Sequence, residues 1–332
     1  MKKLISLFLA SALCLSLSIP AFASSPDGNF SAPEFLPEFI STREPQASIS
    51  EVVPLYNTDS NIIAWLYTLN PTGYIVLDES QEIVVEFSFS NNIEYLDDSP
   101  LYYGGPTQFY QNDGSFYNIR TQAPVSESSL DQKSSSFVDT TALMLNDPVS
   151  GISPIANTPP YSIDSSEFQL YDYNPDGRCG SVAAAILLAY YKDNGYSGLV
   201  SSTHYNNDVS FTNYLVPHIE DLDDISGSYP ADVASGLNWY LEQKGYDSKL
   251  SAYYSDEDFS SYTKKIDAGD PVCLLMNGEP TYNNHWVVGY GYDYDQIIIK
   301  YNRFAIVDDG WGDIDININW DYIVSLVYLK EV

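Results

Sequence analysis

The sequence predicts an α+β protein in which a smaller β-rich unit precedes a larger mixed one. Three observations predict it. Strand-like runs separated by turn residues fill residues 49–117. A polar stretch carrying Pro124, Pro148, Pro154, Pro159 and Pro160 interrupts that pattern. Beyond it helical periodicity comes first and strand alternation after, the order of an α+β unit rather than of alternating strands and helices.

The elements follow in chain order. Lys2 and Lys3 precede an apolar run from Leu4 to Ile19, and Ala21-Phe22-Ala23 has the small-x-small pattern of a cleavage site. A signal peptide over 1–23 is expected, and with it secretion. The run is short and nothing like it recurs, so no membrane anchor is expected. Residues 24–48, rich in Ser, Pro and Glu, read as a flexible linker. The β-rich unit spans 49–123, with "IIAWLYTL" (62–69), "GYIVLD" (73–78) and "EIVVEFSFS" (82–90) as strands. Residues 124–165 read as a second linker with a short helix near 137–146.

The larger unit spans 166–332. Residues 180–193 form a predicted helix whose apolar middle implies burial on every side. A second helix covers 231–245, with Val233, Leu237, Tyr240 and Leu241 on one face and Gly245 as its C-cap. A third is expected over 256–269. Strands follow at 271–277, 285–292, 296–302, 304–309, 313–320 and 322–329. The stretches 197–230 and 278–284 read as loops that shape a cleft.

Composition excludes some functions. Forty-five acidic residues stand against 14 basic ones, a net charge of −31. Such a surface repels nucleic acid and anionic membranes. Of three cysteines, Cys14 lies in the signal peptide, so there is no disulfide framework. Cys179 and Cys273 either pair with each other, or one is reactive and the other buried. "PVCLLMN" around Cys273 has a core-strand pattern, which favours burial.

Cys179 carries the chemical signal. At the first turn of a helix, backbone N–H groups and the helix dipole favour a thiolate. Gly180 leaves room beside the sulfur for a substrate backbone. A thiol nucleophile needs a base, and the chain has three histidines. His204, in "SSTHYNND", and His218, before an acidic run, read as surface residues. His285 opens the apolar strand "HWVVGYGY" and is placed to face a cleft. A base needs an orienter. Antiparallel pairing of the next strands would return "VDDGWG" (307–312) to His285. Asp308 and Asp309 point to opposite sides, so only one can meet the imidazole. Trp311 could shield that contact. The acidic "DDGWGDID" is better explained by a strand with one wet face than by a calcium site, so neither metal nor cofactor is expected.

The blocks "CGSVAAAILLAYY", "HWVVGYGY" and "VDDGWG" resemble, in this order, papain-like cysteine peptidases, nearest to the streptopain type and to those that clip double-glycine leaders. The resemblance covers roughly 150–332. It implies a papain-like α+β fold, with the cysteine on a central helix packed against an antiparallel sheet. It implies Cys179 as nucleophile, paired as thiolate with a His285 imidazolium, and Asp309 as orienter, with Asp308 the alternative. The glutamine these families place before the cysteine is missing here; Asn174 is the candidate oxyanion donor. A peptide or protein is the implied substrate. The front unit resembles the β-rich prodomain of streptopain-like zymogens, acting in cis; the alternative is a permanent binding module. Two other readings stay open for the whole chain: a catalytically silent extracellular binding or adhesion protein, and an amidase or acyl transferase acting on cell-wall peptides.

Overall fold

A computed structural model describes residues 32–96, 99–125, 130, 160–173, 178–220, 228–276, 284–297 and 300–332. The expected signal peptide, the helix near 137–146 and Asn174 lie outside them.

Helix α1 (Leu36–Arg43) opens the described chain inside the stretch expected to be a flexible linker. It is ordered by burial: Leu36, Phe39 and Ile40, at helical spacing, all turn inward. Strands β1 (Ser48–Tyr56), β2 (Ile62–Asn70), β3 (Tyr74–Asp78) and β4 (Val84–Ser88) then form an antiparallel meander. Strands β5 (Leu101–Gly105), β6 (Gln108–Asn112) and β7 (Phe116–Asn118) extend it from the β1 side.

After the short β8 (Tyr161–Ser162) come the helices: α2 (Cys179–Asp193), α3 (Ser202–Tyr205), α4 (Asp208–Ile219) and α5 (Pro230–Lys244). Strand β9 (Leu250–Asp256) and helix α6 (Phe259–Asp267) follow. The chain closes with β10 (Val272–Met276), β11 (His285–Ile297), β12 (Lys300–Asp308), β13 (Ile316–Asn319) and β14 (Ile323–Glu331).

Local chemistry explains several boundaries. Helix α5 ends at Gly245, whose φ of 70° is left-handed, and Tyr246 N–H closes back on the Leu241 carbonyl at 2.8 Å. Helix α6 starts where the Asp258 carboxylate accepts from the Ser260 and Ser261 N–H groups, and it buries Phe259, Tyr262, Thr263 and Ile266 at helical spacing. The region expected to be a loop over 197–230 contains α3 and α4. Polar Asn and Thr residues and Pro217 hide the periodicity of α4, yet Phe211, Thr212, Leu215 and Ile219 share its buried face.

One sheet runs through both halves in the order β7-β6-β5-β1-β2-β3-β4-β13-β12-β11-β10-β14-β9, with β8 on β11. The join is β4 against β13, with Asn317 opposite Phe87 and Ile318 opposite Glu86. Apolar packing crosses it. Phe304 of β12 is fully buried, 5.1 Å from Phe87 and 6.4 Å from Phe39, ring centre to ring centre. Helix α2, apolar on all sides as expected, is enclosed by β10 and β11 and by α4 and α5. This encloses the start of α2 and the start of β11 in one core.

Candidate active site

Cys179 is the first residue of α2 and half-buried. The backbone N–H groups of Trp286, the residue after His285, of Gly180 and of Cys179 itself lie close enough to favour its charged form. The fold therefore brings the Cys179 block against the His285 block. Cys273 is buried on β10, and both thiols are free, so the pairing Cys179–Cys273 is not formed.

The N-cap position of α2, Arg178, provides no side-chain cap. Glu220, at the end of α4, does this work from a distance: its Oε1 accepts from Ser181 N–H at 2.9 Å and from Ser181 Oγ at 2.8 Å. The carboxylate satisfies an orphan donor of the helix, and it also faces the thiol. Burial first, and Glu220 second, push the Cys179 thiol up to about 12, against the N–H groups that pull it down. The thiolate expected from the helix dipole is thus outweighed by desolvation and a neighbouring carboxylate.

Gly180 has a different purpose from the one expected. A Cβ there would sit 1.9 Å from Ser228 Oγ and 3.1 Å from Ser228 Cβ. Ser228 is buried, and its carbonyl accepts from Trp286 Nε1 at 3.0 Å. The missing side chain lets the 228 segment wedge between α2 and β11. Gly180→Ala is expected to lower stability by roughly 1–3 kcal/mol through this overpacking. Ser228→Gly in the same chain should return most of it, as read from urea unfolding midpoints.

His285 is buried on β11. Its Nε2 lies 3.1 Å from the carbonyl oxygen of Asp309. A carbonyl only accepts, so the proton sits on Nε2 and the lone pair on Nδ1. The ring lies flat on Trp311, 4.2 Å between centres and 6° between planes. Burial lowers the imidazole to about 4, offset in part by the bond to Asp309, and the Arg120 charge lowers it further. Both shifts favour a neutral thiol and a neutral imidazole over the expected thiolate and imidazolium.

The two aspartates divide differently from expectation. The Asp309 carboxylate turns to Arg120, whose Nη1 is 2.6 Å from Oδ2, while its Oδ1 accepts from Trp311 N–H at 2.8 Å and Asp313 N–H at 3.1 Å. What it offers His285 is its main-chain carbonyl. Burial raises this carboxyl to about 6, against the pull of Arg120. Asp308 lies opposite Val288 and is fully buried. Its Oδ1 accepts from Gly310 N–H at 2.9 Å, and its Oδ2 has no partner among the described residues. Burial and the Asp309 charge hold Asp308 well above the usual carboxylate range. Of the other histidines, His204 stacks on Phe211 and the exposed His218 stacks on Trp239.

Sequence reasoning missed two residues here, Glu220 and Arg120. Neither stands in a local motif; each reaches its partner through the tertiary fold. Among the described residues, no three His, Cys, Asp or Glu side chains group so as to hold a metal ion.

Residues 165–324 match the model of the Peptidase_C39 like family. The match relates this part of the chain to the papain-like cysteine peptidase superfamily and supports a cysteine-peptidase type of function. A search of curated proteins returns no match.

Proposed function

We propose that this relative of the papain-like cysteine peptidases is a secreted peptidase that hydrolyses peptide bonds with Cys179 as nucleophile and His285 as general base. One observation carries the reading. The fold sets the start of α2 against Trp286, through the Trp286 N–H that favours the Cys179 thiolate and through Ser228 between Gly180 and Trp286 Nε1, next to a His285 whose Nε2 proton is held by the Asp309 carbonyl. That leaves Nδ1 as the ring nitrogen able to take a proton. The signal-like N-terminal sequence supports secretion.

The chemistry follows from the neutral pair. As the sulfur attacks the peptide carbonyl, its proton passes to His285 Nδ1. The oxyanion forms beside the start of α2, where the helix dipole and the first-turn N–H groups favour negative charge. His285 then gives its Nδ1 proton to the leaving amine, and a thioester remains on Cys179. A water, losing a proton to Nδ1, attacks the thioester; the acid leaves and the thiol is restored. Asp309 holds the ring through its carbonyl, and Trp311 covers one face of it. The orienter is thus a backbone group, with the Asp309 carboxylate free for another partner.

The resting protonation state is testable. With the thiol raised and the imidazole lowered, both are neutral from about pH 4 to about 12. Alkylation of Cys179 by iodoacetamide, read by peptide mass spectrometry, is expected to rise about tenfold per pH unit between 5 and 8. A rate already high at pH 5 and flat up to 8 would show a preformed ion pair and overturn this form of the mechanism. Failure of the purified protein to cleave any member of a mixed peptide library would overturn the peptidase reading itself.

A further inference from the structure

The turn that orients His285 is gripped by the other half of the molecule. Arg120 follows β7, in the front unit, and its guanidinium is buried. It donates to the Asp309 carboxylate at 2.6 Å, to the Asp313 carboxylate, and through Nη2 to Tyr74 Oη at 3.2 Å. Tyr74 in turn donates to Glu86 at 3.3 Å. Tyr103 Oη at 2.7 Å and Thr107 N–H at 3.0 Å complete the shell of that carboxylate. Two more contacts hold the same segment. Ser88 Oγ donates to the Asp315 carbonyl at 3.0 Å, and Asn91 Nδ2 donates to the Ile314 carbonyl. The stretch 309–315 supplies both the carbonyl on His285 and the ring stacked over it. Front-unit side chains hold it at Asp309, Asp313, Ile314 and Asp315.

We propose that the front unit is a permanent part of the catalytic centre, with Arg120 as the positioning residue that fixes the Asp309 turn and, through it, His285. The inference rests on the peptidase reading and opposes the expectation of a removable inhibitory prodomain. Its physical basis is charge. Asp309 is fully buried, and burial already raises its carboxyl against the pull of Arg120, so without Arg120 the group takes up a proton or turns toward water. Either way the charged grip on Asp309 and Asp313 is lost, which frees the carbonyl to drift off His285 and Trp311 off the ring. Geometric errors of about an ångström at a reacting group lower rates by ~100-fold.

The test uses the full chain and four proteins: wild type, Arg120→Gln, Arg120→Lys, and Arg120→Gln combined with Asp309→Asn. Two quantities are read, kcat/KM on a cleaved peptide and the His285 ring-proton NMR shift. The flat stacking on Trp311 should move that signal upfield; His→Gln variants assign the three histidines. Arg120→Gln is expected to lose ~100-fold in kcat/KM and most of the upfield shift. Arg120→Lys, which keeps the charge without the planar fork, should fall between. The double variant removes both buried charges and keeps the backbone carbonyl, so it should recover the shift and most of the activity. Unchanged activity and shift in Arg120→Gln, or no recovery in the double variant, would overturn the proposal. A rise in activity in Arg120→Gln would overturn it in favour of an inhibitory clamp. Absence of any cleavage by wild type defeats the peptidase reading, whereas a loss confined to failure of these variant patterns defeats only the role of Arg120.

Discussion

Cys179→Ala is expected to lower peptide hydrolysis by ~10⁴-fold or more while leaving the fold in place. In the proposed mechanism the sulfur is the bond-forming atom, and nothing else in the described site replaces it: the nearest hydroxyl-bearing helix residue, Ser181, is buried and tied to Glu220. Alanine is a good helix former, so the first turn of α2 survives, and Glu220 still caps it through Ser181 N–H. His285→Ala should cost a similar factor, and the double variant little more, because the two act as one unit. Cys273→Ala is the control. That thiol is buried on β10, so its loss should be felt in the unfolding midpoint and not in kcat/KM at temperatures where the protein is folded. Equal hydrolysis by wild type and Cys179→Ala would end the assignment.

The second large effect is on stability. Phe304→Ala is expected to destabilise the protein by about 3–5 kcal/mol, the usual cost of emptying a buried aromatic site. Phe304 is fully buried and meets Phe87 edge-on at 84° and Phe39 at 66°. It stands on β12 of the site-bearing half, and its partners stand on β4 of the front unit and on α1 before it. Because β4 and β13 pair in the same sheet, the loss should appear in one shared unfolding transition. Tyr254→Ala, at a side chain 57% exposed on β9, should change stability by about 0.5 kcal/mol or less. Urea unfolding followed by circular dichroism checks both. A two-step curve in which Phe304→Ala moves only the first step would mean that the halves unfold independently and that the join contributes little.

Much of the secondary structure is legible from periodicity. The buried helix expected over 180–193 occupies Cys179–Asp193, and the one expected over 231–245 occupies Pro230–Lys244 with Gly245 as its left-handed cap. The strands expected at 296–302 and 304–309 are one strand, Lys300–Asp308, paired along its length with β11. The misses have local causes. Helix α4 is broken in pattern by Pro217 and polar residues. Helix α1 is a short segment in which three apolar side chains find a core supplied by β2, β3, β4 and β12.

Local sequence was enough to place Cys179 at a helix start, His285 at a strand start and Trp311 in the turn after the next strand, because each position follows from a short pattern and its period. It was not enough for what controls them. Glu220 reaches Ser181 across 39 positions, and Arg120 reaches Asp309 across 189. A pattern within one segment carries no trace of such partners. The protonation state has the same origin: the helix start favours a thiolate, and burial together with Glu220 reverses that preference. Gly180 is read locally as space for a substrate and is needed in the fold as space for Ser228. Periodicity and turn chemistry act within a few residues and so can be read along the chain. Desolvation and charge act through space, and only the packed structure sets them.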